Sequence, residues 1–125
     1  MTSINWFEIP TEDFDRAVTF YEIIFQRTMH RMEIPGAQQP IPMAVFPSDG
    51  EGVGGALVYL PEHRPAAAGP LIYLNANPDL NDVLDRVVPA GGRLIMSKTQ
   101  LPNGFGYMAL FFDSEGNHMA LHSMG

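Results

Sequence analysis

The chain carries one amphipathic segment twice, and a duplication of this kind leaves few folds open to 125 residues. In Asp13 to Phe25, DFDRAVTFYEIIF, the residues Phe14, Ala17, Val18, Tyr21 and Phe25 recur along one side of a 3.6-period helix, with Asp15, Arg16, Thr19 and Glu22 on the other. In Asp79 to Val88, DLNDVLDRVV, the stripe is Leu80, Val83, Leu84, Val87 and Val88, again opening on an Asp behind a short extended run. Asp13 falls on Asp79 at an offset of 66 residues, and Ala56-Leu57 falls on Ala120-Leu121 at 64. Two nearly equal offsets taken from opposite ends of the unit indicate an internal repeat.

Each copy reads βαβββ. Ile4 to Ile9 is a strand closed by Pro10, and Thr11 or Asp13 caps the helix that follows, which runs to about Gln26. Met29 to Ile34 and Ile41 to Phe46 are strands separated by the loop PGAQQP, and Gly52 to Leu60 is a fourth. Pro61 to Pro70, PEHRPAAAGP, has linker composition. The order then restarts with a strand at Leu71 to Ala76 and a helix over Asp79 to Val88, stopped by Pro89, Gly91 and Gly92. Strands at Arg93 to Ser97, Gly104 to Phe112 and His118 to Ser123 follow, the last after the turn DSEGN. The expectation is a single α+β domain of two tandem βαβββ modules, one over about residues 1–60 and one over about 71–125. Each sheet would have one face covered by its helix, and the two modules would curve around a shared cavity with the other.

Charge and composition exclude several roles. Seven basic residues against 14 acidic ones give a formal charge of −7 with no basic cluster, so nucleic acid is not an expected partner. No apolar run approaches the roughly 18 residues of a membrane span. The N-terminus lacks the basic and apolar regions of a signal peptide and there is no cysteine, so the cytoplasm is the expected location. Gly52-Val53-Gly54-Gly55 sits inside a strand pattern with no helix after it, which argues against a phosphate loop.

Three pieces, Asp13 to Tyr21, the second helix with Gly91-Gly92, and Asp113 to Leu121 (DSEGNHMAL), together resemble the glyoxalase, bleomycin-resistance and extradiol-dioxygenase (vicinal oxygen chelate) superfamily. The resemblance implies a cavity for a small molecule, frequent dimerisation, and in metal-using members up to four ligand positions on the first and last strands of each module. Those positions fall at about Ile4 and Leu71 and on Ala56 and Ala120, none of which offers a lone pair to a divalent ion. The standard metal site is therefore expected to be absent, with no cofactor, and two chains are expected to pair as a homodimer.

Alternation along the strands, taken in phase with the ligand positions that the resemblance implies, selects the cavity lining: Trp6 and Glu8, Ala56 and Val58, Tyr73 and Asn75, and His118 and His122 around Ala120. Tyr107 and Phe105, near the loop from Ser97 to Gly104, either close over a ligand or pack at the rim. Glu8 beside Trp6 in a poorly solvated cavity would have a raised pKa and could act as a general base; near the mouth it would be solvated or paired with an arginine. His118 and His122 stand about 13 Å apart along one strand, too far to share an ion. His30 and His63 read as solvent-exposed. Two functions are compatible with this reading: a metal-free protein that binds a small, largely apolar organic molecule, or a lyase or isomerase resembling lactoylglutathione lyase, with Glu8 as base or a nonstandard metal.

Overall fold

The computed structural model describes residues 3–48 and 50–125, so Met1, Thr2 and Asp49 lie outside the described residues. The first module consists of β1 (Trp6–Pro10), α1 (Phe14–Phe25), β2 (His30–Ile34), β3 (Ile41–Val45) and β4 (Gly54–Val58). The second consists of β5 (Tyr73–Asn75), α2 (Asn81–Leu84), β6 (Arg93–Gln100), β7 (Tyr107–Phe112) and β8 (His118–Ser123). The repeat is exact in topology. One four-stranded sheet has the order β1-β4-β3-β2 and the other β5-β8-β7-β6. In each, the first and last strands of the module are parallel neighbours, Glu8 lying opposite Ala56 and Tyr73 opposite Ala120.

Helix α1 begins where Asp13 accepts a hydrogen bond from the Arg16 N–H at 3.1 Å, satisfying one of the free donors of the first turn. It ends at Gln26, held in the left-handed region with φ 54°. The expected second helix is reduced to one turn. Pro89 has no N–H to donate back into a helix, and much of the run tightens into three-residue spacing, as in the bonds from Arg86 N–H to Val83 O, Val87 N–H to Leu84 O and Gly91 N–H to Val88 O. Leu80, Val83, Leu84 and Val87 are buried all the same, but Val88 is 60% exposed and leaves the stripe.

The two modules cover each other through their helix-bearing faces. One core holds Ile9, Ala44 and Leu57 of the first sheet, Leu74, Ala109, Phe111 and Leu121 of the second, and the buried residues of both helices. Helix α1 is buried over a wider arc than one sheet requires: Phe20 and Ile24 are buried beside Ala17, Val18 and Tyr21, and the Phe20 and Phe111 rings lie 6.2 Å apart. Arg86 fastens the two helical segments by donating from Nε to the Ile24 carbonyl at 2.8 Å. The modules therefore share their helix-bearing faces, and the positions read as cavity lining lie on the opposite faces of the sheets, the side on which the sequence reading puts them.

Gly92 fits this junction because it lacks a side chain. A Cβ there would stand 2.6 Å from the Phe112 carbonyl oxygen and 2.8 Å from Phe20 and Val87. Gly92→Ala is expected to destabilise the protein by about 1–3 kcal/mol through overpacking. A urea titration would show a lower midpoint at unchanged slope.

Candidate functional site

On the first sheet, the pleat sends Phe7 and Ile9 into the shared core and leaves Trp6 and Glu8 on the other face, beside Ala56 and Val58 of β4. Gly54 makes room for the Trp6 ring, which lies so close that a Cβ on Gly54 would be 3.2 Å from it. Ala56, Val58 and Met43 form a second, separate apolar cluster with Ile34, Val45 and Leu60 around it. Trp6 remains 44% exposed. The centre of this cluster is buried, Ala56, Val58 and Met43 together, and Trp6 is exposed beside it.

The second sheet repeats the arrangement. Met119 and Leu121 enter the core, while His118, Ala120 and His122 alternate with them on the opposite face, next to Tyr73 and Asn75. Tyr73 is 49% exposed. Asn75 accepts the Asn77 N–H at 2.9 Å and so helps to shape the turn after β5. His122 Nε2 lies 2.6 Å from the Phe105 carbonyl oxygen and ties down the loop before β7. Phe105 itself projects with 65% of its surface exposed.

Tyr107 does not belong to this face. It pairs with Ser123 and shares the parity of Ala109 and Phe111, so its ring packs on the core side, where the Lys98 ammonium lies 4.6 Å from its centroid. Ile4 and Leu71, the expected first-strand ligand positions, precede β1 and β5. The side chains directly across from Ala56 and Ala120 are instead Glu8 and Tyr73.

Glu8 is exposed, and its carboxylate accepts a hydrogen bond from Trp6 Nε1 at 3.2 Å. The solvent-poor setting expected for a general base is not supplied by this chain's own side chains. Nor do the residues fit a divalent ion: across from the one carboxylate stands the methyl group of Ala56, and among the described residues no three His, Cys, Asp or Glu side chains are grouped to hold a metal.

The sequence reading puts Glu8 and His118 on one lining, and the structure adds the linker to them. A pocket of about 220 Å³ lies where Glu8 and Pro10 of β1 meet the start of β8, and it brings Glu8 together with His118 and with His63 and Arg64 of the linker. Asn117 holds that seam: its amide donates to the Pro10 carbonyl and to Asp113 at 2.9 Å each and accepts the Ala66 N–H at 3.2 Å. The composition of PEHRP marked a linker and carried no signal that it would fold back over β1.

The chain matches the sequence profile of the Glyoxalase/Bleomycin resistance protein/Dioxygenase superfamily over residues 3–121. It is 29% identical over 119 residues to "Putative glyoxylase CFP32" of Mycobacterium tuberculosis, a match that covers 94% of this chain and 44% of that protein. The chain thus spans less than half the length of this relative. Among solved structures, a glyoxalase I mutant from Zea mays superposes with a TM-score of 0.70 at 18% identity, covering 96% of this chain and 46% of the other. TnmS3, described as an antibiotic binding protein from Streptomyces sp. CB03234, superposes with a TM-score of 0.64 at 20% identity over 98% of this chain and 96% of its own.

Proposed function

The chain belongs to the Glyoxalase/Bleomycin resistance protein/Dioxygenase superfamily, and we propose that within it this protein binds a small, largely apolar organic molecule on the open sheet faces, without the divalent ion of metal-using members. The observation that carries this reading is that the last-strand positions where the resemblance sets metal ligands hold methyl groups: Ala56 and Ala120 lie buried at the base of the two faces, and Trp6 and Tyr73 stand exposed beside them. Apolar walls with a few polar groups suit a small organic ligand. That the scaffold accommodates binding of this kind is consistent with TnmS3, a protein of the same fold named for antibiotic binding. An open sheet face is a poor pocket by itself. In this proposal a second copy closes over it, making the working unit a homodimer located in the cytoplasm.

Trp6 is the sole tryptophan and lies on the face in question, so its fluorescence reports binding there. Titration with small aromatic and alicyclic compounds should change its emission saturably, and Ala120→Phe should weaken the effect at least tenfold by filling the floor. Unchanged affinity in Ala120→Phe would place the ligand elsewhere. Stoichiometric zinc, nickel, manganese or iron in the purified protein would overturn the metal-free part of the proposal.

A second reading has one observation in its favour: the Trp6 indole holds the Glu8 carboxylate on the face opposite Ala56, an oriented base. If a partner chain desolvates it, Glu8 could move a proton next to a carbonyl in a lyase or isomerase reaction. Glu8→Gln would then abolish turnover and leave binding largely intact.

A further inference from the structure

We propose that the pocket at the module seam is a second binding site, for the hydroxyl group of a small neutral alcohol or phenol, and that the linker is its roof. The pocket borders the open sheet faces through Glu8 and His118 but is closed by the linker, and it does not depend on what those faces bind. The central observation is His118. His118 lines the pocket, and its Nε2 is buried with no hydrogen-bond partner among the described residues, so a ligand pairs with it only when the ring turns or the roof lifts. Leaving such a group unpaired is costly, and a ligand that supplies the missing hydrogen bond recovers that cost.

The surroundings narrow the chemistry of that ligand. Ile9 and Ile72 provide apolar wall, and about 220 Å³ of space admits a small organic body. A carboxylate would meet Glu8, while Arg64, the cation nearest at hand, is already paired with Glu12. A hydroxyl avoids this conflict. When Nε2 carries the proton, the hydroxyl accepts from it and donates its own proton to Glu8; when Nε2 is bare, the single hydroxyl proton goes to Nε2 instead.

The roof is held weakly enough to admit it. From 61 to 71 only Pro65 is even partly buried. The ties are the Arg64–Glu12 pair, with both side chains about half exposed, the Ala66–Asn117 hydrogen bond and the isolated bridge from Leu60 to His63. An exposed pair of this kind contributes little, because solvent screens it and two long side chains must be held in one geometry. Entry by lifting the linker therefore breaks little, and closure over the ligand restores it.

The test compares phenol, toluene and benzoate on the isotopically labelled full chain, following the ring nitrogens of His118 by NMR and the amides of Gly54 and Ala120 as reporters of the open faces. Phenol should shift the His118 signals and bind at least tenfold more tightly than toluene, its near-isostere without the hydroxyl. His118→Phe should remove that preference, and His118→Gln should keep part of it. Should either variant fail to fold, the comparison of probes on the unaltered chain still decides. Equal affinity for phenol and toluene, tighter binding of benzoate, or no response at His118 to any probe would each overturn the proposal. Shifts confined to Gly54 and Ala120 would overturn it while leaving the open-face reading intact.

Discussion

Asp113→Ala is expected to lower stability by about 3–5 kcal/mol, the range for breaking a buried charged hydrogen-bond network. For a chain of this size that is a fall in Tm of roughly 10–20 °C. Asp113 is almost fully buried, and its carboxylate accepts four hydrogen bonds: the Tyr21 hydroxyl at 2.7 Å, and the Asn117 side-chain amide, the Asn117 N–H and the Glu115 N–H at 2.9 Å each. Removing it leaves the Tyr21 hydroxyl unpaired in the middle of the shared core and loosens the turn from which β8 starts. Tyr21→Phe removes a donor without burying an orphan and should cost only about 1–1.5 kcal/mol. Because both residues serve one bond, the double variant should fall short of the sum of the singles by at least about 0.5 kcal/mol. Simple additivity in urea unfolding would show that the bond contributes nothing of its own.

The same network shows what could be read from residues alone. DSEGN was legible as a turn, and β8 runs from His118 to Ser123 as expected, because short polar residues and glycine there have few alternatives. The duplication was legible for the same reason: each copy carries its own cap, stripe and stop. The side on which the modules meet was harder. Helix α1 is apolar at Phe20, Ile23 and Ile24 as well as along the expected stripe, and that wider arc was the available sign of a helix packed on two sides.

Tyr107 is a candidate only by its nearness to the loop from Ser97 to Gly104; alternation gives no guide there because YMALFF is apolar at every position, and pairing with Ser123 decides its face. The open-face candidates Trp6, Glu8, Tyr73 and Ala120 follow from alternation phased on the ligand positions that the family resemblance implies. His63 and Arg64 could not be found that way. Their place at the seam depends on how ten irregular residues cross the surface, and this is settled by tertiary contacts such as Ala66 with Asn117.

Glu115→Ala is expected to cost about 2–4 kcal/mol, because this one carboxylate of the second module completes the start of the first module's helix. It accepts the Glu12 N–H at 2.9 Å, the Asp13 N–H at 2.6 Å, Arg16 Nε at 2.8 Å and the Ser114 hydroxyl at 2.8 Å. Charge-assisted bonds of this type are the stronger ones, and the helix N-terminus favours a negative charge. Burial alone would raise the Glu115 pKa, but the hydrogen bonds from Arg16, the backbone and Ser114 outweigh it and hold the group below its ordinary value of 4.5. Its contribution is therefore complete above the ordinary glutamate range and is lost as pH falls through the lowered folded value. Asp113 works in the opposite sense, since burial raises its pKa despite its hydrogen bonds, so the pH profile of the unaltered protein mixes the two. Comparison with Glu115→Gln isolates the latch, because Asp113 is common to both proteins. The stability difference should be full at neutral pH and shrink steadily as the solution is taken below about pH 4. A difference that stays constant to about pH 3 would mean that shape, and not charge, joins the two modules at this point.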